Sequence, residues 1–210
     1  LVSRYDTTTG ESIPIDRRIG LLDRKLRVIN ENVDNEKDWY TMAEKAFKHT
    51  YGYEWQGDSL LLAREALLYT YIEYFMDKFN DKDAEGNYVK DANGEFKVPD
   101  KRKILNAARW ISWNIWQMDG LKMVVPDSCD NQYETDLFGL KKKKVCDACS
   151  KGKMIGHIGV KCIIRDWNLK KPKKWKPKPG EDPHSQPWQK IEFSSLFFGR
   201  NMETEEEEIK

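Results

Sequence analysis

Two short aromatic-rich segments constrain this chain most: Thr50-Tyr-Gly-Tyr-Glu-Trp55 and Asn114-Ile-Trp-Gln-Met118. Both are too short and too rich in aromatic and β-branched residues to read as helices, so each is expected to be a strand. Glu54 ends the first, and Asp119-Gly120 follows the second. Just after the first strand, Leu60, Leu61, Leu67, Leu68, Tyr71, Ile72, Phe75 and Phe79 form an apolar stripe at helical spacing. With Asp58 or Ser59 as its cap, this is the expected core helix, buried on most of its surface.

The flanking sequence extends the alternation. Asp16 can cap a helix carrying Ile19, Leu22, Leu26 and Ile29, a second helix fits Glu36 to His49, and Lys101 to Ser112 is again helical. Polar residues 80–99 hold Asn93-Gly94 between Tyr88-Val89 and Phe96-Val98, which predicts an inserted hairpin. The order resembles half of a doubly wound sheet, so the expected fold class is α/β, part of a Rossmann-like domain over residues 1–127. From Pro126 the composition turns to Cys, Lys and Gly. That shift places a boundary near Ser128, a Cys/His module over 128–169, and a Lys/Pro-rich segment with an acidic tail, Glu203 to Glu208, over 170–210.

Charge excludes little: 36 basic residues face 35 acidic ones, although a third of the chain is charged. No apolar run approaches the roughly 20 residues needed to cross a bilayer, and the start lacks a basic-then-apolar signal pattern. A cytoplasmic protein without membrane contact is therefore expected. A chain that opens on Leu1 in mid-domain style reads as a fragment of a longer polypeptide.

In open α/β sheets ligands sit at the carboxyl ends of strands, where an acidic side chain can accept hydrogen bonds from ribose hydroxyls. Glu54 is placed for ribose and Asp119 for an adenine amine, with Trp55 or Trp116 available to stack on the ring. The plainer alternative is that both carboxylates only cap the following helix and turn. Gly52-Tyr-Glu-Trp-Gln-Gly-Asp-Ser-Leu-Leu-Leu-Ala-Arg-Glu-Ala-Leu-Leu68, Ile111-Ser-Trp-Asn-Ile-Trp-Gln-Met-Asp-Gly-Leu-Lys122 and Val125-Pro-Asp-Ser-Cys129 resemble the methylase subunits of bacterial restriction-modification systems. Those are adenine-specific DNA methyltransferases that use S-adenosylmethionine, and the resemblance runs over most of residues 1–167. It implies S-adenosylmethionine as the cofactor of Glu54, Trp55 and Asp119. It further implies DNA, and the rest of a methylase or restriction subunit, as partners. Two family features are missing: the glycine-containing cofactor loop, and the catalytic Asn/Asp-Pro-Pro-Tyr/Phe motif, since the chain has no Pro-Pro pair. The polypeptide alone is therefore expected to lack methyl-transfer activity, and no catalytic residue is assigned.

Cys146-x-x-Cys149, then His157 and Cys162, supply four ligands of the type zinc holds in a tetrahedron, with Cys129 as an alternative to His157. Gly152, Gly156 and Gly159 would let the backbone turn around the ion. Four protein ligands leave no open position, so the zinc is expected to be structural. The competing possibility is a set of reduced thiols beside an incidental histidine.

Lysines cluster at Lys141, Lys142, Lys143 and Lys144, and again at Lys173, Lys174 and Lys176 around Trp175. Lysine neutralises phosphate and tryptophan stacks on bases, so these are the candidate nucleic-acid contacts, set against plain solvated charge. Asp81-x-Asp83-x-Glu85-Gly86 imitates a calcium loop, but Ala92 stands where the bidentate acid belongs. His49 and His184 have no paired nucleophile. Two functional classes follow: an inactive part of a DNA methyltransferase, or a non-catalytic, zinc-stabilised module that binds nucleic acid or protein.

Overall fold

The computed structural model describes residues 1–173, 176 and 186–198. The chain folds as two compact units, residues 1–52 with 58–115, and residues 53–57 with 116 onward. The division thus falls at 115/116 instead of near Ser128.

The first unit is helical: α1 (Leu21–Asn32), α2 (Glu36–Lys48), α3 (Gly57–Phe79, entering the unit at Asp58) and α4 (Lys101–Asn114). Each start has a local cause. Asn35 caps α2 by accepting the Asp38 N–H, and Asp100 caps α4 by accepting the Arg102 N–H. Asp16 lies instead in a short 3-10 turn, Ile15–Arg17, and Gly20 occupies the N-cap of α1. The chain start explains this displacement: the Leu1 carbonyl accepts the Leu22 N–H, and Ser3 donates to the buried Asp23 carboxylate. A Cβ on Gly20 would lie 2.5 Å from the Leu1 oxygen, so only glycine fits under this strap. Ile19, pushed out of the helix, is exposed, while Leu22, Leu26 and Ile29 are buried.

Aromatic rings fill the core of this unit. Trp39 of α2 is fully buried against Tyr71 and Phe75 of α3, at 5.3 and 5.2 Å between centroids, and its indole N–H donates to Asn30. The core stripe of α3 is narrower than the sequence suggests: Leu60, Leu67, Tyr71, Tyr74 and Phe75 are buried, but Leu61 is exposed. Glu73 on the same helix holds both Arg4 and Arg18 at 2.5 Å. Residues 80–99 form two successive Asp-x-x-Gly turns in place of a paired hairpin. Asp83 and Asp91 each accept two backbone N–H groups ahead of them, Gly86 and Gly94 take positive φ, and the sole ladder contact there is the isolated Lys82–Tyr88 bridge.

Strands β1 (Gly52–Glu54) and β2 (Ile115–Gln117) pair, as their sequences suggest, and the Met118 N–H donates to the Glu54 carbonyl. The doubly wound sheet is not found: among the described residues β1 and β2 form a sheet of two strands alone. Two further two-stranded antiparallel sheets follow, β3 (Tyr133–Thr135) with β4 (Lys141–Lys143), and β5 (Ile163–Arg165) with β6 (Lys190–Glu192). Short helices α5 (Asp147–Ser150) and α6 (Ser195–Phe198) complete the elements. The architecture is mixed α/β with small sheets. The long helices bury their apolar faces on one another, α1 on α2 and α2 on α4, so no broad sheet is needed to cover them.

The second unit has its own core of Trp116, Met118, Met123, Cys162, Ile164 and Phe193. No helix among the described residues is long and apolar enough to cross a membrane.

Asn114, buried at the end of α4, donates from its amide to the carbonyls of Phe47, Lys48 and Thr50, where the chain leaves the end of α2. Asn114→Ala removes these buried hydrogen bonds, and urea unfolding is expected to show a loss of about 1–3 kcal/mol. An unchanged midpoint would show that the carbonyls find other donors.

Candidate metal centre

The second unit brings Cys129, Cys146, Cys149 and His157 together, with their ligand atoms all within 4.8 Å of one another. Cys146 and Cys149 flank the first turn of α5, so the short helix points both sulfurs the same way. Gly152 and Gly156 take φ of 61° and 80°, and the chain reverses there to present His157. Gly159 acts differently. A Cβ there would lie 2.5 Å from Ser128 Oγ and 3.0 Å from Cys129 Sγ, so its missing side chain is what lets the Cys129 turn close on the knuckle. Ser128 fastens that contact by accepting the Val160 N–H and donating to the Val125 carbonyl.

The imidazole decides the chemistry. His157 is buried and its Nε2 lies 2.8 Å from the Lys153 carbonyl, which can only accept, so Nε2 carries the proton and Nδ1 offers a lone pair. That Nδ1 sits 3.7, 3.6 and 3.4 Å from the sulfurs of Cys129, Cys146 and Cys149. A single lone pair cannot satisfy three thiols by hydrogen bonding. A tetrahedral zinc with ordinary Zn–S and Zn–N bonds sets its sulfur and nitrogen ligands about 3.6 Å apart, which the three distances match.

The protonation states suit a cation as well. Burial pushes the Cys146 thiol up, but the Ile158 and Cys149 N–H groups, with the Cys149 side chain, outweigh it and hold it below the ordinary thiol range. Cys149 is pushed up to about 11 by burial and by the Cys146 and Cys129 sulfurs. Backbone N–H groups thus favour the thiolate at Cys146, and Cys149 surrenders its proton when a metal binds. Lys122 stands close enough for Cys149 and Cys129 to favour its charged form against the cost of its desolvation.

Cys162, offered by the spacing as a fourth ligand, lies elsewhere. Side chains alternate along an extended segment, and Cys162 points with Ile164 into the apolar core of the unit, where its thiol donates to the Gln117 carbonyl. Burial pushes that thiol up to about 11. Cys129 takes its place and joins His157 instead of replacing it. The sequence offers Cys129 as an alternative ligand, but the close approach past Gly159 that places it beside His157 shows only in the folded chain.

The other candidate residues are placed as follows. Glu54 Oε1 accepts the N–H groups of Trp55 and Gln56, and Asp119 Oδ1 accepts those of Leu121 and Lys122, so both carboxylates hold the turns that follow them. Asp119 is buried with Lys122 Nζ 3.6 Å away, Trp116 is packed into the apolar core, and Trp55 is half-exposed. Lys141, Lys142 and Lys143 form β4 and are exposed together with Lys144. Lys173 and Lys176 are exposed, while Lys174, Trp175, His184 and the acidic tail lie outside the described residues. No family model, curated protein or solved structure matches the chain.

Cys162→Ala is expected to retain about one zinc per chain by elemental analysis, whereas Cys129→Ala and His157→Ala lose it. Loss in Cys162→Ala with retention in Cys129→Ala would reverse the assignment.

Proposed function

We propose that the chain is a non-catalytic, DNA-associated part of an adenine-specific methylase assembly of the restriction-modification type, with its second unit stabilised by zinc. The observation that carries the zinc reading is the His157 imidazole, fixed by Lys153 with its free nitrogen facing three cysteine sulfurs. Four protein ligands saturate the ion, so its role is to hold the chain and not to activate water or substrate. A unit of this size with a small apolar core gains folding free energy directly from such an ion. The exposed lysines of β4 support nucleic acid as the partner, because neutralised phosphates release counterions. The absence of any Pro-Pro pair supports a supporting role over methyl transfer.

A second reading keeps Glu54 and Asp119 as contacts to the ribose and adenine of S-adenosylmethionine. It is favoured by their position at the ends of two paired strands, where the Met118 N–H meets the Glu54 carbonyl. In this reading the turns that both carboxylates hold would supply rigidity to the cofactor edge.

The readings separate in one set of titrations on the full chain. Zinc-loaded protein is expected to bind duplex DNA with an affinity that falls steeply with salt and that is lost on chelation and restored by zinc. It is expected to give no heat with S-adenosylmethionine. Saturable heat that Glu54→Ala abolishes would favour the cofactor reading, and DNA binding indifferent to zinc would overturn the first.

A further inference from the structure

The β3–β4 ribbon stands uncovered in the second unit. All six of its strand residues are exposed, so neither face is packed on a core. Isolated two-stranded ribbons are marginal in water, and this one is held at its ends. At the root, the Lys144 N–H donates to the Gln132 carbonyl, and Cys129 and Cys146, both at the metal centre, stand just before β3 and just after β4. At the tip, the Asp136 carboxylate accepts the N–H groups of Phe138 and Leu140 at 2.9 Å, and Gly139 turns the chain with φ of 80°. That rigid turn presents two apolar side chains wholly to solvent: Leu137 is 101% and Phe138 89% exposed.

The register sorts the charges. Tyr133 faces Lys143, Glu134 faces Lys142, and Thr135 faces Lys141. Directly opposed residues share a face, so one face carries Tyr133, Thr135, Lys141 and Lys143 with no strand carboxylate, while Glu134 and Lys142 share the other. At the root, Asp130 lies 3.9 Å from Lys143 Nζ.

We infer that this ribbon is a duplex-DNA wedge: Lys141 and Lys143, with the Tyr133 and Thr135 hydroxyls, grip phosphates, and Leu137 and Phe138 press between base steps. The inference rests on the DNA-associated reading and specifies its contact. A two-stranded ribbon fits a DNA groove, lysines and hydroxyls are the usual phosphate donors, and apolar wedges at a protein's tip unstack and kink a duplex. An anionic membrane would satisfy the lysines too. Two apolar side chains bury too little in a bilayer to anchor a protein, and directional hydroxyl donors add nothing there. The zinc centre closes the root of the ribbon, which ties the contact to the metal.

The test uses the full zinc-loaded chain, a duplex of a few helical turns dye-labelled at both ends, and vesicles of phosphatidylcholine with phosphatidylserine. Anisotropy is expected to show Lys141→Ala/Lys143→Ala binding more weakly, with a log–log salt slope smaller by about 2. Leu137→Ser/Phe138→Ser keeps the slope but loses the end-to-end energy-transfer change that reports bending. All four side chains are exposed, so zinc content and circular dichroism are expected to match the parent. Parent-like affinity, slope and bending in both variants would remove the ribbon from the interface while leaving DNA association standing. No DNA binding by the parent would overturn that reading and the inference with it. Vesicle binding lost in Leu137→Ser/Phe138→Ser, with DNA unbent by the parent, would assign the tip to a membrane surface instead.

Discussion

The second unit depends on one hydrogen bond, from His157 Nε2 to the Lys153 carbonyl. It sets the tautomer, and the tautomer makes Nδ1 a ligand among three sulfurs. From that point the local chain path follows. Gly156 must turn with positive φ to deliver the ring, Gly159 must lack a side chain for Cys129 to approach, and Ser128 must bridge the two segments. Without a cation, one imidazole lone pair and three converging thiols would be an unsatisfied polar cluster, largely buried. A bound ion would turn that cost into cohesion for the unit.

The first unit shows the opposite economy. There the four helices bury a set of aromatic rings, and several polar interior groups are paired across the unit. Asn114 serves the end of α2, Asn30 serves Trp39, and Asp23 serves the chain start. The same rule runs through its loops, where aspartates at 83 and 91 each fold the backbone over their own carboxylate. Asp136 repeats the device at the tip of the ribbon in the second unit.

Helices were legible in the sequence because their periodicity and caps are local: α2 begins at Glu36 behind Asn35, and α4 at Lys101 behind Asp100. The two aromatic strands were legible for the same reason. Their assembly was not, since a helix–strand order is compatible with a wide parallel sheet and with a helical unit holding one strand pair. The Ile19 and Asp16 assignments failed because the chain start displaces the beginning of α1, a tertiary effect absent from the local pattern. At the metal centre, Cys146, Cys149 and His157 could be read from spacing. Cys129 and Cys162 could not be ranked, because the choice rests on which of them faces His157 once residues 161–165 are extended. Likewise, the sorting of Lys141 and Lys143 onto one face needs the β3–β4 register, which the lysine run alone does not contain.

X-ray absorption at the zinc edge tests the central claim most directly. The account predicts a four-coordinate ion with three sulfurs at about 2.3 Å and one nitrogen at about 2.0–2.1 Å, showing imidazole multiple scattering. A four-sulfur shell, or a shell of oxygen ligands, would contradict it.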